Sequence, residues 1–123
     1  MVVHELREAE ADRLFQALAD ATRRDILRRC IHGEPSLSRL ADMYPMSFAA
    51  VHKHVAVLER AGLVSKERRG REQLVRTDGH ALGRARRVLD ELEELWRRRI
   101  DRMAELLAEV PDPERHEPSQ EHR

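Results

Sequence analysis

The sequence predicts a mainly α-helical chain with one small β-hairpin. Three observations predict it. Apolar residues recur at steps of three and four through most of the chain, the period of a helix with one buried face. Small polar residues stand where helices should start, at Asp20, Ser36 and Ser47. Two β-like runs, 63–69 and 72–77, flank the pair Gly70-Arg71, a Gly-X sequence suited to a tight hairpin turn.

Residues 9–19 read as the first helix, with Ala11, Leu14, Phe15 and Leu18 on one face. Asp20 caps a second, Ala21 to His32, whose apolar face is Ile26, Leu27, Cys30 and Ile31. Gly33 stands where a C-terminal glycine belongs. Ser36 caps a short third helix carrying Leu37, Leu40 and Ala41, with Met43 at its far end, which Pro45 cannot continue. Ser47 caps a fourth, Phe48 to Ala61, with Val51, Val55 and Leu58 as its buried stripe and Gly62 as its end. Two short helices joined by Tyr44-Pro45-Met46 form a helix-turn-helix candidate, and the hairpin behind them takes the place of a wing.

A long last helix is expected from about 81 to 110. Leu82, Ala85, Leu89, Leu92, Trp96, Ile100, Met103, Leu107 and Val110 repeat along it without a break, and Val88, Leu95 and Leu106 widen the stripe. At 1.5 Å per residue it is about 45 Å long. The small domain before it cannot cover so long a stripe, so a second copy of the chain is the expected cover. The expected division is an N-terminal arm over 1–8, a domain over 9–110 that includes the last helix, and a disordered tail over 111–123, where Pro, Glu, Arg and His dominate.

The chain has 123 residues, enough for one core. Charged residues make up 37% of it and aromatic ones 3%, so the core must be aliphatic. The formal net charge is zero, which at first argues against a nucleic-acid partner. The distribution reverses that reading. Residues 47–76 hold Lys53, Arg60, Lys66, Arg68, Arg69, Arg71 and Arg76 against Glu59, Glu67 and Glu72. Phosphate binding needs a local basic surface, not a basic chain. Cys30 is the single cysteine, so no intrachain disulfide is available, which suits a reducing compartment. No apolar run approaches the length that spans a bilayer, and residues 1–5 lack the pattern of a signal peptide. A cytoplasmic protein without membrane attachment is expected.

Three ordered stretches resemble the ArsR/SmtB family of winged-helix repressors. Residues 14–27, Leu-Phe-Gln-Ala-Leu-Ala-Asp-Ala-Thr-Arg-Arg-Asp-Ile-Leu, look like its opening helices. Residues 46–64, from Met46 through His52-Lys53-His54 to Val64, look like its recognition helix and the approach to the wing. Residues 68–72, Arg-Arg-Gly-Arg-Glu, look like its wing tip. The resemblance covers about residues 10–108, and Leu95-Trp96-Arg97 is similar to a branch that lacks metal-site motifs. It implies a homodimeric regulator, paired through its first and last helices, that places one recognition helix per subunit in the major groove of double-stranded DNA.

The expected DNA contacts follow from that placement. With Val51, Val55 and Leu58 turned inward, Ser47, Phe48, Ala50, His52, Lys53 and His54 are left for the groove. Lys53 can reach phosphate or guanine, His52 can donate to an acceptor, and Phe48 and Ala50 can touch thymine methyls. His54 has a second reading, a hydrogen bond within the domain. Arg68, Arg69 and Arg71 form a cationic tip suited to the minor groove or its phosphates. Ser36, Ser38 and Arg39 are candidate phosphate contacts at a helix start. The expected dimer residues are Leu14, Leu18, Leu89, Leu92, Trp96, Ile100, Met103 and Leu107.

No cofactor or metal is expected. Relatives that sense metals through a Cys-x-Cys pair use the third helix, which here holds no thiol. Asp78-Gly79-His80 matches the first half of the last-helix site, but Glu91 and Glu94 stand where its other ligands belong, and zinc favours more nitrogen or sulfur. His52 and His54 lie about 200° apart around a helix and cannot share an ion. No P-loop, dinucleotide fingerprint or nucleophile with its base is present, so an enzyme is not expected. The alternatives are a metal- or thiol-responsive repressor of the same fold, and a winged helix that binds protein; the latter predicts no salt-dependent DNA binding. The inducer is not encoded in any motif.

Overall fold

A computed structural model describes residues 2–109, with side chains from Arg7 onward. The elements are α1 (Val2–Leu18), α2 (Ala21–His32), α3 (Leu37–Asp42), α4 (Phe48–Arg60), β1 (Val64–Arg69), β2 (Glu72–Thr77) and α5 (Gly79–Glu109). The expected order stands, with two adjustments at the ends. α1 begins at Val2 and so takes in the stretch expected as an arm. α5 begins at Gly79, because Asp78 serves as its cap: the Asp78 Oδ1 accepts the His80 N–H at 3.0 Å. Val110 and the expected tail lie outside the described residues.

Each internal helix starts where a side-chain oxygen replaces a missing carbonyl. Asp20 accepts the Arg23 N–H, Ser36 the Arg39 N–H and Ser47 the Ala50 N–H, at 3.1, 3.1 and 3.0 Å. Gly62, at φ +79°, ends α4. Its N–H donates to the Glu59 carbonyl and the Leu63 N–H to the Leu58 carbonyl, the paired bonds of a Schellman end. The end of α1 is closed differently: Arg23 donates to the carbonyls of Gln16 and Ala17, and Arg24 to that of Leu18.

β1 and β2 pair antiparallel in the register Val64↔Thr77 through Arg69↔Glu72, leaving Gly70-Arg71 as the two-residue loop. Gly70 has φ +65° and Arg71 does not share the positive region, as a turn with glycine first requires. The hairpin is tied to the start of α3. The Val75 N–H donates to the Pro35 carbonyl at 2.9 Å, and Ser36 bridges Leu74.

Among the described residues, 2–88 form one compact unit and 89–109 a second. The first has an aliphatic core centred on Leu14, Ile26, Leu40, Val51, Val55, Leu58, Leu63 and Val75. One expectation changes here. Leu14 is 2% exposed, a core residue with nothing left to offer a second chain; Leu18 is half-buried against the same core and keeps part of its surface. Ala81 and Ala85 bring the start of α5 onto this core. In the second unit every described residue of α5 is exposed, including its apolar stripe. No helix among the described residues is long and apolar enough to cross a membrane.

Candidate nucleic-acid interface

α4 is divided sharply between its faces. Val51, Val55 and Leu58 are completely buried, while Phe48, His52 and Lys53 are exposed and Ala50 is half-buried. No acidic residue stands in its first turn, so the positive end of the helix dipole and Lys53 act in the same sense. Phe48 does not turn into the core. Its ring lies against that of His52, with centroids 6.2 Å apart and planes inclined by 33°. Ser47 holds the helix start with its hydroxyl.

His54 faces the other way. Its Nδ1 lies 3.3 Å from Nη1 of Arg23. A guanidinium can only donate, so Nδ1 must accept and the ring proton sits on Nε2. The internal reading of His54 is the one the geometry supports. Arg23, whose side chain is 17% exposed, therefore joins the last turn of α1 to α4. The sequence reading missed it; its signal is an arginine three residues after the Asp20 cap.

A second missed cluster fixes the turn between α3 and α4. The Tyr44 hydroxyl donates to Asp25 Oδ2 at 2.6 Å, Arg29 Nε donates to the same oxygen at 3.1 Å, and the Arg29 guanidinium lies over the Tyr44 ring. The Tyr44 hydroxyl, followed by Arg29, holds the Asp25 carboxyl below its ordinary range. Burial, with Asp25 beside it, pushes the Tyr44 phenol up to about 12.

At the hairpin tip Arg68, Arg69 and Arg71 are all exposed. Arg69 is paired with Glu67 at 3.2 Å, and Arg76 is held by Glu67 and Glu34. Arg68 and Arg71 have no acidic partner among the described residues. Ser38 and Arg39 are exposed on α3. Ser36 is a correction: it is 8% exposed and its hydroxyl is spent on the cap, so it has no face for a phosphate.

Among the described residues no group of three or more His, Cys, Asp and Glu could hold a metal. Asp78 and His80 bond each other at 2.7 Å. The backbone N–H and then the ring of His80 hold the Asp78 carboxyl below its ordinary range. Cys30 is buried, and burial pushes its thiol up to about 11, far from a reactive thiolate.

A pair of short helices joined by a clamped turn, an exposed cationic second helix and a β-hairpin with free arginines define a winged helix-turn-helix DNA-binding protein. Known proteins agree. Residues 18–67 match a helix-turn-helix domain family. The HTH-type transcriptional regulator Rv2034 of Mycobacterium tuberculosis is 38% identical over 96 residues, which is 78% of this chain and 87% of that protein. An ArsR-like transcriptional regulator from Rhodococcus sp. RHA1 superposes with a TM-score of 0.77 at 33% identity, over 84% of this chain and 94% of its own. A homodimeric winged helix-turn-helix DNA-binding domain from Mycobacterium bovis shares the fold, with a TM-score of 0.57 at 24% identity over 70% of this chain and 80% of its own. The chain belongs to the ArsR family of winged helix-turn-helix transcriptional regulators.

Proposed function

We propose that the protein is a cytoplasmic homodimeric repressor that binds a short imperfect palindrome overlapping its own promoter and excludes polymerase from it. The observation that carries this reading is the division of α4: its apolar face is wholly buried, and His52 and Lys53 are left exposed beside a helix start without acids. The major groove admits one such helix. His52 and Lys53 read base edges, while Arg68 and Arg71 on the hairpin hold the backbone, with Ser38 and Arg39 as further phosphate ligands. The exposed stripe of α5, from Leu89 to Leu107, supports pairing with a second copy, as does the homodimeric relative of the same fold.

Base reading and backbone holding should fail differently. Arg71→Ala should weaken specific and random DNA alike. It should also flatten the plot of log affinity against log salt by about 0.9 for each phosphate no longer neutralised. His52→Ala should cost about 1–3 kcal/mol on the cognate operator and almost nothing on random DNA. Affinities for both duplexes over a salt series, for wild type and each variant, decide it. Equal losses on both DNAs for His52→Ala remove it from the base-reading set; full cognate affinity in both variants removes this surface as the DNA face.

A further inference from the structure

Phe48 and His52 stand together at the start of the DNA-facing helix. Phe48 is 52% exposed, a large apolar side chain at the surface, and the core makes no use of it. It is the first residue of α4, and His52 is one turn further along the same helix. The inclined ring contact gives the imidazole a fixed neighbour on one side. The ring nitrogens of His52 take no partner among the described residues, so an N–H remains for an outside acceptor.

In a major groove the thymine C5 methyl is the one apolar group that projects from a base edge; the groups otherwise read there are hydrogen-bond donors and acceptors. Residues four apart on a helix are about 6 Å apart along its axis. Successive bases of a strand rise by about 3.4 Å. The two rings, with centroids 6.2 Å apart, therefore reach base pairs up to about two steps apart. We propose that Phe48 and His52 act as one specificity element, Phe48 packing on a thymine methyl while His52 donates to an acceptor on a base pair within two steps of it. This rests on the DNA-reading role of α4 and names the base, thymine, that Phe48 selects.

The test uses a duplex that the full-length protein selects from a randomised library. The duplex is remade with single thymines replaced by deoxyuridine, which removes the methyl and keeps every hydrogen-bonding atom. Affinities are measured for wild type, Phe48→Ala, Phe48→Leu and His52→Ala. At one thymine position in the half-site, deoxyuridine should weaken wild type about fourfold, the worth of one buried methyl. Phe48→Ala should lose that sensitivity and Phe48→Leu should keep part of it. The loss for His52→Ala combined with deoxyuridine should be less than the product of the two single losses. Phe48 is exposed, so circular dichroism and thermal melting should match wild type. An equal deoxyuridine penalty in wild type and Phe48→Ala, no penalty at any thymine, or independent losses for His52→Ala and deoxyuridine would overturn the proposal while leaving DNA reading intact. Failure of the wild type to prefer any selected duplex over random DNA would instead overturn the reading on which it rests.

Discussion

Tyr44 shows how much one hydroxyl can set. It sits in the turn of the helix-turn-helix and reaches back to Asp25 on α2. Tyr44→Phe keeps the ring under Arg29 and deletes that bond; it should cost about 1 kcal/mol in denaturant melts at neutral pH. The same pair sets a pH dependence. The Asp25 carboxyl is held below its ordinary value in the folded chain, so its contribution is present above the unfolded value of about 4 and is lost as pH falls through the folded one. Tyr44 is shifted the other way, so its contribution is present below about 10 and is lost as pH rises towards 12. Asp25 is 42% exposed and its share is correspondingly small. Melts of wild type and Tyr44→Phe from pH 2 to 6 should converge at the acid end; a gap that stays constant throughout would contradict the assignment. None of this was legible in the sequence, where Tyr44 reads only as part of a turn. A long-range bond between residues 25 and 44 leaves no local period.

The elements were legible where a chemical signal marks both ends. The second, third and fourth helices and the hairpin lie within about a residue of expectation, because each boundary carries a cap, a glycine or a tight turn. The first helix was read short, since residues 2–8 have neither a cap nor a clear apolar period. Leu14 was assigned to an interface for a related reason: periodicity shows that a face is apolar but not which neighbour covers it. Gly62 gives the sharpest test at this scale. Its φ of +79° is a conformation that L side chains adopt only with strain, and a Cβ there would meet Arg84 Nη2 at 3.2 Å. Gly62→Ala should lower stability by about 1–2 kcal/mol. Adding Arg84→Ala should recover little, since a flexible side-chain end can move and the backbone strain cannot. Full recovery in the double variant would place the cost in the clash instead.

For the whole molecule the decisive feature is the stripe on α5. Leu89, Leu92, Trp96, Ile100, Met103 and Leu107 are all exposed, Trp96 at 59%. Apolar surface left in water costs about 25 cal/mol per Å². A contiguous row of this kind is expected to find a partner surface. Wild type should sediment as a dimer at micromolar concentration. Trp96→Glu should sediment as a folded monomer that binds a palindrome far more weakly, since each half-site alone is a poor ligand. A folded wild-type monomer at that concentration would end the dimer reading. The stripe was plain in the sequence because its steps of three and four run unbroken over many turns; the lone Cys30 was equally plain as a buried position on the second helix.

The bond from Val75 to the Pro35 carbonyl, with the Ser36–Leu74 bridge beside it, has a bearing on solubility. A two-stranded ribbon has open edges on which a foreign strand can build, and such edges seed aggregation. Along β2 that edge is partly occupied by the chain's own backbone. The occupying residue is a proline, which accepts a hydrogen bond but has no N–H to give. The sheet thus gains a fragment of a third strand with one N–H fewer to offer, and the hairpin can hold its arginines out in solvent with that edge blunted against its neighbours.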